Sequence, residues 1–302
     1  MEYDALSGWD DDTTAETYAA FTRAYPIYSA SSRDLAARAG LTRSRVIVDL
    51  CGGTGTTAEA ILALAPPDAR IVSLDSSAAM QRIGRRLLTD PRLNWVNAPL
   101  ADHVPARSVD AVVCNSAVWK TDVAAMVTAV RRVLRPGGRF VFNVGGAFAG
   151  VTHPDALPPP TGPSLGALIE EIAARDYGIV QPTAAVAPKL PLPVITGLLA
   201  DAGLHVVAAE VTGQHTTTAE RVAWLFIPVF AHPEGALSYE QKMAILAEAT
   251  AQTKPDDGDE LACDRRRSPG RMYDTERARP CLVYDGIFPV RATGASGVGG
   301  AT

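Results

Sequence analysis

The chain has 302 residues, 47% of them hydrophobic, and a formal net charge of −5. That is ample for a packed core and too short to demand two large domains. The acidic balance without a basic stripe argues against a nucleic-acid partner, and the lack of any run of 18 apolar residues argues against a membrane span.

The opening Met1-Glu2-Tyr3-Asp4 lacks the basic-then-apolar order of a signal peptide. Four cysteines (Cys51, Cys114, Cys263, Cys281) are scattered without metal-ligand spacing. A cytoplasmic protein with reduced thiols and no bound metal is therefore expected. Richness in Ala, Arg and Pro points to a bacterial source.

In chain order, residues 13–39 read as helical. Thr14 stands as a cap before Tyr18, Phe21 and Tyr25, an apolar stripe at helical spacing. Pro26 breaks this segment, and a second helix is predicted from Ser32 to Ala39.

Val46-Ile47-Val48-Asp49 is an apolar run that ends in an acid. Leu50-Cys51-Gly52-Gly53-Thr54-Gly55 follows as a tight turn, and Thr56-Thr57-Ala58 opens a helix. Glycines in such a turn let backbone come close to a bound molecule. The helix N-terminus offers free N–H groups to an anionic ligand group. Gly53-Thr54-Gly55-Thr56-Thr57-Ala58 also fits the dinucleotide pattern G-x-G-x-x-G/A, with Asp75 lying 20 residues after Gly55. Taken alone, that match is weak.

Ile71-Val72-Ser73-Leu74-Asp75 is a short strand that again ends in an acid. Val109 to Ser116 reads as a fourth strand running into a polar end. Val130 to Phe142 reads as helix, Pro136-Gly137-Gly138 turn, then strand. Alternation of this kind from Val46 to Val144 gives five parallel strands with helices on both faces. Ligands of such sheets bind outside the carboxyl ends of the strands. Asp49, Asp75, Asn97, Asn115 and Asn143 all stand at or near such ends.

Prolines crowd the chain after Gly145. Inside that stretch Ser164 begins a helix with Leu165, Leu168, Ile169 and Ile172 on one face. The segment reads as a lid above the strand ends or as a passive surface excursion. Ile195 to Gly203 is a further helix, stopped by its glycine, and Leu204 to Val211 a sixth strand. Thr217-x-x-Glu220 and Ser238-x-x-Gln241 are capping-box patterns, placing helices around 218–230 and 239–251. Pro280 to Val290 supplies the last strand.

The acid-glycine loop, the strand-end Asp75 and the Leu134-Arg135-Pro136-Gly137-Gly138 turn, in that order and spacing, resemble the class I S-adenosylmethionine-dependent methyltransferases. The resemblance covers residues 40–145 well and the rest loosely. It implies an α/β, Rossmann-like methyltransferase fold. That fold is a seven-stranded, mostly parallel sheet with helices on both faces, plus helical and proline-rich cap insertions. The chain then divides into an N-terminal helical cap (1–40), a cofactor-binding core (41–145), a lid insertion (146–194), the second half of the core with a helical insertion (195–290) and a disordered tail (291–302).

The resemblance implies S-adenosylmethionine as cofactor. Contacts to it are implied at Asp49, Cys51, Gly52, Gly53 and Gly55, at Asp75, Ser76 and Met80, and at Ala98, Pro99, Leu100 and Asn115. Asp75 would accept both ribose hydroxyls. Tyr18 and Tyr28 either touch the methionine end or simply pack on the sheet. Trp119 and Lys120 follow the fourth strand, near the acceptor. A base is needed only if the acceptor must lose a proton, and His153 and His215 are the candidates.

Two residues depart from the family pattern. Cys51 stands where glycine is common, and Ala98 where many members carry an acid for the adenine amino group; Asn97 or Asp102 could compensate. The expected function is methylation of a small molecule, such as a natural-product intermediate. The alternatives are a repurposed, non-methylating enzyme for cyclisation or elimination, and a non-catalytic subunit. The expected partners are a small-molecule substrate, with a homodimer or a partner protein open, and neither nucleic acid nor membrane.

Overall fold

The computed structural model describes residues 8–98, 103–151, 163–180, 188–253 and 281–292. They fall into two units. The first comprises Met1–His153, Ala187–Thr212 and Tyr284–Thr302, the second Pro154–Val186 and Gly213–Val283. Among the described residues no helix is long and apolar enough to cross a membrane.

The strands are β1 (Val46–Leu50), β2 (Arg70–Asp75), β3 (Leu93–Asn97), β4 (Val109–Cys114), β5 (Leu134–Gly145), β6 (Leu204–Val206), β7 (Glu210–Thr216) and β8 (Cys281–Ala292). Seven of them form the path β3-β2-β1-β4-β5-β8-β6, and β7 pairs with β8 off that path. β1 to β5 run parallel, while β8 runs antiparallel to β5 and β6. This is the seven-stranded, mostly parallel sheet expected from the sequence, with β7 added. The run Leu204 to Val211, read as one strand, breaks after Val206 and resumes at Glu210.

Apolar residues of the central strands alternate between two cores, because successive side chains leave a strand on opposite faces. Val48, Leu50, Val72, Leu74, Val112, Phe140 and Phe142 point to one core. Ile47, Ile71, Ala111, Val113 and Val141 point to the other. A strand buried on both faces needs a continuous apolar run, which explains why β1 and β4 carry so few polar residues.

Among the described residues, these helices precede the proline-rich stretch: α1 (Asp12–Ala24), α2 (Ile27–Arg38), α3 (Thr56–Leu64), α4 (Ala78–Leu87), α5 (Val123–Val133) and the single turn α6 (Gly146–Ala149). Leu35, Ala36 and Ile61 of α2 and α3 cover the second core. Met126, Val127 and Val130 of α5 cover the first. The starts of α1 and α2 differ from the sequence reading, as does that of the helix read from Ile195, which begins at Leu192. The cap of α1 is Asp11, whose carboxylate accepts from the Thr14 N–H at 2.8 Å. α2 begins directly after Pro26 rather than at Ser32, since the fixed φ of proline suits a helix start better than an interior.

The second unit holds α7 (Leu165–Tyr177), α9 (Thr218–Leu225) and α10 (Tyr239–Gln252), while α8 (Leu192–Asp201) belongs to the first. Leu168, Ile169 and Ile172 of α7 pack with Leu225 and with Ile245, Leu246 and Ala249 of α10. Ser164 caps α7, and Ser238 with Gln241 forms a complete capping box on α10. α9 ends at Leu225 rather than near residue 230, because Pro228 starts a separate turn. Gly203, at φ +72°, follows the end of α8 as its stop.

Candidate active site

The loop between β1 and α3 is shaped by three residues at positive φ: Cys51 (57°), Gly53 (53°) and Gly55 (96°). The Gly52 N–H donates to the Leu74 carbonyl at 3.0 Å, which ties the loop to the end of β2. A Cβ on Gly52 would collide with Ser73 Oγ and the Asp49 carboxylate. A Cβ on Gly53 would meet open space. The Cys51 sulfur lies beside the Cys114 thiol, which is pushed well up in pKa, first by that hydrogen bond and then by burial.

Asp49 lies beneath this loop and is fully buried. Its Oδ2 accepts from Ser73 Oγ at 3.0 Å, and its Oδ1 makes no full hydrogen bond among the described residues. Burial pushes its pKa from 3.8 to about 7; the Ser73 hydroxyl opposes this, Asp75 adds to it, and the Ala58 amide opposes it least. The native state thus holds this proton up to about pH 7, while the unfolded chain releases it near 3.8. Stability from this group is present below about pH 4 and is lost as pH rises to about 7. Asp49→Asn is expected to flatten that slope and to stabilise the protein by about 2–4 kcal/mol at pH 8. Urea unfolding across pH 5–8 checks this, and an unchanged slope would assign the proton elsewhere.

Asp75 closes β2, with both carboxylate oxygens held by backbone donors. The Gly53 N–H donates to Oδ2 and the Ser77 N–H to Oδ1, each at 2.8 Å. Burial raises its pKa, against the lowering by these two amides and by Lys120. Ser77 also caps α4 through the Met80 N–H at 3.0 Å. Its hydroxyl donates to the Trp9 carbonyl at 2.9 Å, and the Ala79 N–H donates to Asp10 Oδ1 at 2.8 Å. These bonds dock residues 9 and 10 beside the end of β2.

Asn115, just past β4, donates to the Tyr28 carbonyl at 3.1 Å and to Ser32 Oγ at 2.8 Å. Ser116, at φ +54°, donates its N–H to Asn143 Oδ1 at 2.7 Å. Tyr18 lies 5.5 Å from Tyr28 and 5.8 Å from Trp9, ring centre to ring centre. Burial, with Tyr28, Asp75 and Asp49 adding to it, pushes the Tyr18 hydroxyl well above its ordinary pKa. Lys120 Nζ sits 3.7 Å from the centre of the Trp9 ring. Burial lowers its pKa to about 8, against the opposing charges of Cys51, Asp75 and Cys114.

These groups line one cleft of the first unit. Tyr18, Tyr28, Cys51, Gly52 and Gly53 stand in its wall, with Asp75, Ser76, Met80, Asn115 and Lys120. Four expected residues lie elsewhere. Asp49 is behind the loop, Gly55 turns toward Trp95, and Ala98 is buried at the end of β3. Trp119, expected beside the acceptor, stacks on Phe148 at 4.5 Å and is not in the cleft wall. Pro99, Leu100 and His153 lie outside the described residues, as does the side chain of His215. Trp9, Asp10, Thr56, Thr57, Ser77, Ser116, Ala117 and Thr121 complete the wall and were missed. Thr56 and Thr57 directly follow the glycine loop and were findable. Nothing local marks Trp9 or Asp10.

Residues 47–138 match the family model described as a methyltransferase domain. The trans-aconitate 2-methyltransferase of Azoarcus sp. (strain BH72) is 37% identical over 131 residues, which is 43% of this chain and 48% of that protein. The ubiquinone/menaquinone biosynthesis C-methyltransferase UbiE of Caulobacter vibrioides is 33% identical over 117 residues, 35% of this chain and 46% of that one. The chain thus spans about half the length of the curated relatives it matches. Among solved structures, a Bacillus halodurans C-125 protein assigned as a methyltransferase superposes with a TM-score of 0.51 at 13% identity, covering 88% of this chain and 100% of that one. The 4+2 cyclase SpnF superposes with a TM-score of 0.50 at 17% identity, covering 88% of this chain and 81% of that one. At such identities the likeness is one of fold. The strand order and the acid-glycine loop agree with the family match: residues 47–138 form a methyltransferase domain, on a sheet whose fold is the Rossmann-like one of class I methyltransferases.

Proposed function

We propose that the protein is an S-adenosylmethionine-dependent methyltransferase whose acceptor is a small molecule, such as a natural-product intermediate. The observation that carries this reading is the Asp75 carboxylate, clamped by two backbone N–H groups at the rim of the glycine-loop cleft. Each oxygen keeps a lone pair for a ribose hydroxyl. Gly53 supports the fit as well, since space is open where its Cβ would stand.

The cofactor supplies a methyl group already activated by its sulfonium, so the protein's task is alignment and exclusion of water. Asp75 would hold the ribose, and the loop from Cys51 to Gly53 would back the ligand along the cleft wall. Tyr18 and Tyr28 wall the methionine end, and Lys120 stands on the acceptor side. His153 and His215 are the proposed proton acceptors for an oxygen or nitrogen nucleophile.

Ala98 favours a second reading. It offers no side-chain acceptor to the adenine amino group, which suits a cofactor retained for non-methylating chemistry such as cyclisation. Calorimetric titration with S-adenosylmethionine and S-adenosylhomocysteine separates the readings. Micromolar binding of both is expected, followed by release of S-adenosylhomocysteine with a suitable acceptor. Binding without turnover across an acceptor screen favours the second reading, and no binding of either ligand removes both.

A further inference from the structure

We propose that a groove beside the second half of the glycine loop, separate from the cleft, binds a phosphate group, free or carried on a small apolar body. The groove lies within the first unit, among the end of α1, α2, the start of α3 and the end of α4. Its volume is about 540 Å³, within the range of small-molecule sites. Cys51, Gly52 and Gly53 line the cleft, whereas Thr54 and Gly55 line the groove, and Thr56 alone stands in both walls.

Two arginines stand in the groove wall, Arg23 from the last turn of α1 and Arg33 from α2. Both are exposed, and among the described residues neither guanidinium makes a salt bridge or a hydrogen bond. Other arginines of these helices are paired. Arg82 and Arg86 of α4 meet Asp12 and Glu16 of α1. Arg38 of α2 meets Asp34 and Glu210, so Asp34, next to Arg33 in sequence, is already engaged. Ser32, whose hydroxyl lies 2.9 Å from Thr57 Oγ1, and buried Leu35 anchor α2 under Arg33. Thr54 is 6% exposed, and its hydroxyl makes no hydrogen bond among the described residues. Such a hydroxyl gains from a partner that enters the groove. A guanidinium presents a planar fork of N–H donors that matches the oxygens of a phosphate. Two forks balance the nearly two charges of a phosphate monoester, where a carboxylate would need one. Glu59 is the one acid of the wall, and against two arginines it leaves the groove positive. Ala60, Ala63, Leu87 and Leu88 complete an apolar side, which favours a phosphate that arrives on an organic carrier.

Calorimetric titration with inorganic phosphate and with phenyl phosphate tests this, on the protein alone and on protein saturated with S-adenosylhomocysteine. A carried phosphate is supported if phenyl phosphate binds about threefold or more tighter than inorganic phosphate, since its ring covers apolar wall. Equal affinities support free phosphate. Arg23→Gln and Arg33→Gln are each expected to weaken binding about fivefold or more, and the double variant to remove it. Arg70→Gln takes the same charge from the exposed start of β2, outside the groove, and is expected to stay within about twofold. The inference is overturned if neither phosphate binds at millimolar concentration, or if both groove variants bind as the unmodified protein does. It is also overturned if Arg70→Gln weakens binding as much as they do, the mark of diffuse charge. Displacement of phenyl phosphate by S-adenosylhomocysteine overturns it too, because the phosphate would then occupy the cofactor cleft. If a glutamine variant does not fold, lysine at that position keeps the charge, loses the fork and is expected to weaken binding in the same direction. The titrations on the protein alone need no adenosine ligand, so their outcome is independent of the methyltransferase reading.

Discussion

Asp75→Asn is expected to weaken S-adenosylhomocysteine binding about 10- to 100-fold, the largest binding loss of any single change in the cleft. The carboxylate does two things at once. It accepts the Gly53 and Ser77 N–H groups at 2.8 Å each, and it keeps acceptor capacity toward the ribose. An asparagine turns one oxygen into an NH2 group, so a donor then faces a backbone donor. One charge-assisted acceptor is lost and one amide is left without its partner, which costs about 1.5–3 kcal/mol. The pH dependence has a definite sign. Burial raises the Asp75 pKa despite its two amide partners and Lys120. Affinity should therefore fall as pH drops through that raised value, because the protonated acid accepts less well. The asparagine variant should show no such fall. Calorimetry on both proteins, from pH 8 downward in steps to the lowest pH at which they stay folded, reads the two effects together. Wild-type affinity in the variant would show that Asp75 does not hold the ligand.

The parts of this site that were legible in the sequence are those set by local geometry. Gly53 and Gly55 announce themselves because their φ values of +53° and +96° are costly for other residues. β1, β2 and β4 are legible because a doubly buried strand needs a continuous apolar run that ends in polar residues at the ligand edge. Ser164 and Ser238 mark real helix starts because a hydroxyl at that position satisfies a backbone donor of the first turn.

What was not legible depends on contacts made across the chain. Trp9 and Asp10 stand ahead of α1 with no local pattern that marks them. They join the cleft only because Ser77 and Ala79, some 70 residues away, donate to them. Trp119 sits next to Lys120 in sequence, yet it stacks on Phe148 while Lys120 lines the cleft. Asp49 belongs to the motif, but its carboxylate points into the core toward Ser73 and not to the cleft. Its identity was readable; its protonation was not, since that follows from burial.

The two adjacent glycines of the loop should respond to alanine to different degrees and for different reasons. Gly52→Ala is expected to destabilise the fold by about 3 kcal/mol or more, toward the upper end for overpacking. Its new methyl would collide with Ser73 Oγ and with Asp49 Oδ2, both fully buried. Neither neighbour is the free end of a flexible side chain, and the Gly52 N–H is tied to Leu74. The clash is thus relieved only by moving the end of β1 away from β2. Gly53→Ala meets no atom; it carries only the strain of a positive φ, about 1–2 kcal/mol, and its methyl enters the cleft. Urea unfolding should therefore show a large loss for Gly52→Ala and a small one for Gly53→Ala, while calorimetry shows weakened cofactor binding in folded Gly53→Ala. Equal unfolding midpoints for the two variants would mean that the loop does not approach β2 as closely as the Leu74 bond requires. The asymmetry follows from the loop's two sides, one packed against the buried Asp49–Ser73 pair and the other open to the ligand.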